Sequence, residues 1–127
     1  AANGDFVMNA GRLFIGGEWL DGTGASFTST NPANGDHVWT GNSASADQVA
    51  DAVAAARAGF EAWGSTTLDA RLQVLRTFAS LLDENRDRLG KLISTETGKA
   101  LWDAMGEPGA MVAKLDISLK AYEERTG

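Results

Sequence analysis

The chain has 127 residues, of which 43% are hydrophobic and 22% charged, a balance typical of a globular domain rather than a disordered chain. Seventeen acidic residues against eleven Lys and Arg give a formal net charge of −6, which argues against nucleic acid and anionic membranes as main partners. The absence of Cys excludes disulfides, thiolate zinc sites and a Cys nucleophile within these residues.

The apolar stretches are far shorter than the ~20 residues that a membrane-spanning helix requires. The first ten residues have neither the basic nor the apolar region of a secretory signal. A soluble, cytoplasmic protein is therefore the expectation.

The composition changes near residue 44, from Gly, Thr, Asn and Trp to Ala, Leu, Glu and Arg. This change predicts three regions. They are a flexible tail over 1–11, a β-hairpin region over 12–44 and a helical part over 45–127.

Two tight turns organise the predicted hairpin region. Gly16-Gly17 separates two short apolar runs, and Asn34-Gly35 favours a turn with positive φ. The predicted strands are residues 13–15, 18–20, 27–30 and 37–40.

Helix signals begin at Ser45, which forms a capping-box pattern with Gln48, and Gly64 is a natural stop. The helical spacing of five apolar residues in between predicts a stripe that faces a core. These residues are Val49, Val53, Ala56, Phe60 and Trp63.

Thr67 or Ser65 can cap a second helix, and Gly98 can end a third in the left-handed conformation. Pro108 predicts a kink or a restart in the last helical segment. The predicted buried face of the second helix consists of Leu68, Leu72, Leu75, Ala79 and Leu82.

The residues show no catalytic constellation. His37, the single His, has no sequence neighbour that completes a dyad, and a structural role is favoured. Gly22-Thr-Gly24 lacks the third glycine of a dinucleotide fingerprint, and Gly98-Lys99 follows a helix, whereas a phosphate loop precedes one. Pattern alone therefore indicates an α+β domain without a visible active site.

Four stretches, in the same order and at the same spacing, resemble the N-terminus of the aldehyde dehydrogenase superfamily. Each stretch is a weak signal alone, and the four together cover nearly the whole chain from Leu13. They are Phe14-Ile-Gly-Gly-Glu-Trp19, Asn31-Pro-Ala-Asn-Gly-Asp36, Ala54 to Phe60 with Trp63, and Thr95-Glu-Thr-Gly-Lys99.

The resemblance implies an α/β superfamily, of which this chain is an α+β N-terminal fragment with β-hairpins followed by a helical cluster. Lys120-Ala-Tyr122 with Arg125-Thr-Gly127, and Val38 to Asn42, are similar to the succinylglutamate-semialdehyde branch of the family. This branch implies oxidation of a dicarboxylic aldehyde with NAD in arginine catabolism, by a parent that is a homo-oligomer.

The same resemblance implies that the catalytic Cys, the water-activating Glu and the glycine-rich cofactor loop belong to the rest of the parent chain. We therefore expect no catalytic and no cofactor-binding residue here, and we expect this segment to be inactive alone. Pro108, bracketed by glycines, departs from the continuous helix of the family.

Two site hypotheses follow from the resemblance. Lys114, Ser118 and Tyr122 share a helical face that lines the substrate tunnel in the family, where a cation suits remote carboxylates. The alternative is that Lys114 is an ordinary solvated lysine.

The second hypothesis is a monovalent cation site. The matching positions are the backbone of Ser29 and Thr30 and the carboxylate of Glu96, all hard oxygen ligands. The alternative is that Glu96 simply lies near a helix end.

A rival function is a non-enzymatic helical interaction module that reuses this domain. A module is expected to bury its apolar faces, whereas a segment of a larger enzyme exposes an apolar patch for the rest of the protein.

Overall fold

The computed structural model describes residues 10–126, so the predicted tail over 1–11 lies almost wholly outside the described residues. The described chain divides between Ser65 and Thr66 into two compact units. The first unit contains β1 (Leu13–Ile15), β2 (Glu18–Leu20), β3 (Ser26–Thr30), β4 (His37–Asn42) and α1 (Ala46–Gly64). The second contains α2 (Leu68–Glu84), α3 (Arg86–Thr97), α4 (Leu101–Ala104) and α5 (Glu107–Arg125).

The first hairpin pairs β1 with β2 in the antiparallel sense, as the Gly16-Gly17 turn predicts. Both turn glycines have positive φ, 61° and 92°, the backbone that a two-residue hairpin requires. Arg12 ties the hairpin ends together, because its guanidinium donates to Asp21 Oδ1 at 2.9 Å and to the Trp19 carbonyl at 2.8 Å.

The second hairpin pairs β3 with β4, and its turn is closed by the Asn31 N–H, which donates to the Asp36 carbonyl at 2.8 Å. Gly35 has a φ of 80°, which confirms the positive φ predicted for the Asn34-Gly35 turn. The strand register shifts between Ser29 and Thr30.

Helix α1 begins with the predicted capping box: Ser45 Oγ accepts from the Gln48 N–H, and the Gln48 side chain accepts from the Ser45 N–H. Gln48 Oε1 also accepts from the Thr23 N–H at 2.9 Å and from Thr23 Oγ1 at 3.0 Å. Gln48 Nε2 donates to the Asp21 carbonyl at 2.9 Å. One side chain therefore fixes the start of α1 to the loop after β2.

The apolar stripe of α1 was expected to face a core, and within the described residues it does not. Phe60 is 72% exposed, Val53 55% and Trp63 48%. Helix α1 contacts β1 in the same unit, but this contact leaves the stripe exposed. Gly64 is the last residue of α1, and it ends the helix without a left-handed cap, since its φ is not positive.

The second unit follows the predicted caps. Thr67 Oγ1 accepts from the Ala70 N–H at 3.2 Å, and Asn85 separates α2 from α3. Gly98 ends α3 in the left-handed conformation with φ 70°. Helix α5 restarts with Pro108 in its first turn, which is the restart that the sequence predicts.

Helix α2 packs against α5, and α3 packs against α4 and α5. Gly90 of α3 is buried, and a Cβ at this position would lie 2.5 Å from Met105 Sδ, so glycine permits the close approach of α3 to the end of α4. The predicted buried face of α2 is confirmed only in part: Leu72, Ala79 and Leu82 are half-buried, whereas Leu75 is 42% and Leu68 37% exposed. In residues 66–126, full burial is confined to Gly90, Ala104 and Pro108.

Candidate functional site

A groove of about 230 Å³ lies between α2 and α5, wholly within the second unit. Six of its described lining residues are apolar, and the other two are Lys114 and Ser118. The apolar walls are formed by Leu75, Phe78, Ala79, Leu82, Met111 and Leu115.

Lys114 and Ser118 are one helical turn apart on α5, and both side chains are exposed. Within residues 10–126, Lys114 has no carboxylate within ion-pair distance, whereas Lys120 on the same helix lies 3.8 Å from Glu124. The groove thus combines an apolar surface with one cation whose donors face solvent.

Tyr122, the third residue of the predicted tunnel face, does not line this groove. It is 49% exposed, and its carbonyl accepts from the Thr126 N–H at 3.1 Å near the end of α5. The structure therefore brings together two of the three predicted tunnel residues.

The predicted cation ligands lie in different units. Ser29 and Thr30 lie on β3 at the register shift, and Glu96 lies in the last turn of α3. The three positions offer carbonyl and carboxylate oxygens, which are the kind of ligand that a hard monovalent cation prefers. No group of three or more His, Cys, Asp and Glu side chains in the described part of the chain could hold a metal ion. The site stays a prediction.

A cluster of Lys99, Asp103 and Glu107 was missed in the sequence. Lys99 Nζ lies 3.2 Å from Asp103 Oδ2 and donates a hydrogen bond to Glu107. The hydrogen bonds to Glu107 and Asp103 raise the pKa of Lys99 above its ordinary value, while partial desolvation acts in the opposite direction. The i,i+4 spacing of Lys99 and Asp103 was a visible signal, but the approach of Glu107 depends on the break between α4 and α5.

The Lys99 cluster joins the segment after α3 to the start of α5. Ser94 Oγ donates to the Lys99 carbonyl at 2.7 Å, and the Lys99 N–H donates to Thr97 Oγ1 at 3.2 Å. The main chain and the side chain of Lys99 are thus both held, and its side chain contacts the first residue of α5, Glu107.

His37 contacts a neighbouring hydroxyl of the second hairpin. Its Nε2 lies 2.8 Å from Thr40 Oγ1, which in turn lies 2.9 Å from Thr28 Oγ1. These contacts join β4 to β3. None of the helices in the described part of the chain is long and apolar enough to cross a membrane.

The hairpins, the helical cluster and the order of motifs agree with one family. The model of the aldehyde dehydrogenase family matches residues 19–127, and the chain belongs to this family. Among curated relatives, the chain is 53% identical over 116 residues to an N-succinylglutamate 5-semialdehyde dehydrogenase of Paraburkholderia xenovorans. The match covers 91% of this chain and 24% of that protein, so the chain spans about a quarter of the relative's length.

Solved structures confirm the fold. An NAD-dependent benzaldehyde dehydrogenase from Corynebacterium glutamicum is 25% identical with a TM-score of 0.83, over 91% of this chain and 25% of that one. An NADP-dependent glyceraldehyde-3-phosphate dehydrogenase from Bacillus halodurans, complexed with NADP, is 29% identical with a TM-score of 0.77, over 83% of this chain and 22% of that one. The predicted architecture, hairpins followed by a helical cluster from the N-terminal part of such an enzyme, is confirmed.

Proposed function

We propose that this chain is the N-terminal segment of an enzyme that oxidises N-succinylglutamate 5-semialdehyde to N-succinylglutamate. The observation that carries the proposal is the 53% identity to a relative of that name over 91% of this chain. In the reaction the aldehyde carbon takes up a water oxygen and gives a hydride to the nicotinamide cofactor, with release of protons.

We propose that the cofactor site lies in the rest of the protein. Gly22-Thr-Gly24 leads into strand β3, and the segment between α3 and α4 contains the single glycine Gly98, so neither is a glycine-rich phosphate loop. The cofactor would be held by the rest of the protein. One similar structure is of an NAD-dependent enzyme and another of an NADP-dependent enzyme, and NAD is our proposal for the parent.

We also propose that the segment alone is inactive. It has no Cys, which is the nucleophile that the resemblance implies for the parent enzyme. Apolar side chains are exposed on the stripe of α1 and on α2. A self-contained interaction module buries its apolar faces, so this exposure favours the interpretation that the chain is a segment of a larger enzyme.

The test is a kinetic assay of the full-length enzyme with N-succinylglutamate 5-semialdehyde, in which formation of NADH or NADPH is followed. We expect turnover with NAD to exceed that with NADP, and no turnover by residues 1–127 alone. Lack of turnover by the full-length enzyme, with activity on other aldehydes, would show that the substrate is wrong.

The pathway is a separate proposal, the succinyl route of arginine catabolism. If it is correct, deletion of the full-length gene abolishes growth on arginine as nitrogen source and causes the semialdehyde to accumulate. Normal growth of the deletion strain would argue against this pathway and leave the in vitro reaction standing.

A further inference from the structure

We infer that Asn34 is a site of spontaneous deamidation, and that the product loosens the turn between β3 and β4. Asn34 and Gly35 are both exposed in this turn, and a Cβ placed on Gly35 would have no atom within 4 Å. Glycine has no side chain that hinders the approach of its main-chain nitrogen to the preceding amide. The turn therefore presents a solvent-exposed amide that is followed by the least hindered main-chain nitrogen of any residue type.

The reaction requires only these two residues and water. The Gly35 nitrogen loses its proton to hydroxide and attacks Asn34 Cγ, so that a C–N bond forms and the Cγ–Nδ2 bond breaks. The amide nitrogen takes up a proton and leaves as ammonia. Water then adds to either carbonyl of the cyclic imide, and the ring opens to an aspartate or an isoaspartate.

The hydrogen bonds of the turn act on this reaction at different atoms. The Asp36 N–H donates to Asn34 Oδ1 at 3.0 Å, and this oxygen carries the negative charge after the attack, so the donor stabilises the intermediate. The Gly35 N–H donates to the Asn31 carbonyl at 2.7 Å, and this hydrogen bond must open first. Because the turn is exposed and lies outside the strands, such local opening has a low free-energy cost.

Two other Asn residues of the same hairpin lack this combination. Asn31 is followed by Pro32, whose main-chain nitrogen has no proton to lose and cannot attack. Asn42 lies at the end of β4, and the N–H that follows it, that of Ser43, donates to the Ala25 carbonyl at 2.9 Å. Ser43 also has a side chain beside its nitrogen. Deamidation in this hairpin is therefore selective for Asn34.

The product changes the charges within the turn. Asn34 Nδ2 donates to Asp36 Oδ2 at 2.7 Å. After deamidation a carboxylate oxygen replaces this donor, so the hydrogen bond is lost and two like charges face each other. An isoaspartate also adds a methylene group to the main chain between the Asn31 N–H and the Asp36 carbonyl, whose hydrogen bond closes the turn. Both products therefore weaken the connection of β3 to β4.

The site is tested by tandem mass spectrometry of the native full-length enzyme after incubation at mildly alkaline pH. We expect Asn34 to be converted to aspartate and isoaspartate while Asn31 and Asn42 stay intact. Asn34→Gln should abolish the modification of the turn, because Gln would have to close a larger ring. Asn3-Gly4 is the same dipeptide outside the described residues, and its conversion is scored separately. Conversion of Asn34 only after unfolding in urea, or conversion of Asn42 at the same rate, would overturn the site.

The loosening of the turn is tested by amide hydrogen exchange of the same enzyme. Asn34→Asp reproduces one product and should speed exchange in residues 31–36 several-fold. Asp36→Asn in the same chain removes the repulsion and should restore most of the wild-type protection. Equal exchange in wild type and Asn34→Asp would overturn the loosening.

Discussion

Lys99 links helices of the second unit at the points where they begin and end. Its ammonium interacts with Glu107 and Asp103, and these contacts raise its pKa above the ordinary 10.5. A raised folded-state pKa means that the stabilisation is present in full below pH 10.5 and is lost as the pH rises through the folded-state pKa.

We therefore expect Lys99→Met to lower the melting temperature of the full-length enzyme at neutral pH and to lose less further stability in alkali than wild type. Thermal unfolding measured from neutral pH to above pH 10.5 tests this sign. Lys120→Met is the control, because its ion pair with Glu124 is long and mostly exposed. If the melting temperatures of wild type and Lys99→Met fall by the same amount as the pH rises above 10.5, this stabilisation does not come from Lys99.

Glu96 carries the prediction of the monovalent cation site. If it is a ligand, potassium raises the melting temperature of the full-length enzyme relative to choline at equal ionic strength, because a ligand that binds only the folded state stabilises it. Glu96→Gln should remove most of that difference. Asp87→Asn in the first turn of the same helix is the control and should retain it. A potassium effect that survives in Glu96→Gln would assign Glu96 to its alternative, a residue that merely lies near a helix end.

At the scale of elements, the start of α1 depends on two side chains of the capping box. Removal of an N-cap hydroxyl costs about 1 kcal/mol, so Ser45→Ala should speed amide exchange in the first turn of α1 about fivefold if local opening governs exchange. Gln48→Ala should have a larger effect, since Gln48 also binds Thr23 and Asp21. Hydrogen exchange of the full-length enzyme, read by mass spectrometry on peptides that cover Ser45, measures both.

Ser65→Ala is the control at the opposite end of α1, where Ser65 Oγ donates to the Ala62 carbonyl at 2.9 Å. It should leave exchange in the first turn unchanged. Equal exchange in the first turn of wild type and Ser45→Ala would show that tertiary contacts, and not the cap, hold this end of the helix.

The elements were predictable because their signals are local. The glycine turns, the Ser45 cap and the restart at Pro108 each depend on residues within a few positions, and the structure has them where the sequence predicts. Burial was not predictable in the same way. A stripe such as Val53 and Phe60 shows that one face of a helix must be covered, but the covering residues are distant in sequence.

The candidate site was also predictable only where its signals are local. The spacing of Lys114 and Ser118 placed them on one face of α5, which is a property of the helix alone. The groove itself requires the packing of α2 against α5, and no pattern in the sequence gives its depth or its wall residues. Tyr122 has the same i, i+4 spacing but does not line the groove. A shared helical face therefore does not by itself place a residue in the groove.

At the scale of the whole molecule, apolar surface outweighs buried core. Among the described residues, Ala104 is the one buried hydrophobic residue, while large apolar side chains such as Phe60 and Trp102 are mostly exposed. Such surface is normally covered by protein, and the chain spans about a quarter of its relative's length. Residues 1–127 alone should therefore be marginally stable or self-associate.

Sedimentation and thermal melts of residues 1–127 at several concentrations test this expectation. Phe60→Lys adds a charge to the exposed stripe of α1 and should reduce self-association, because a charge in an apolar contact loses its hydration. Ala58→Lys adds the same charge on the opposite side of α1, outside the stripe, and should leave self-association as in the unmodified chain. A cooperative, concentration-independent melt well above room temperature would contradict the expectation and favour a self-contained module. Equal effects of the two lysines would show that net charge, and not the stripe, controls association.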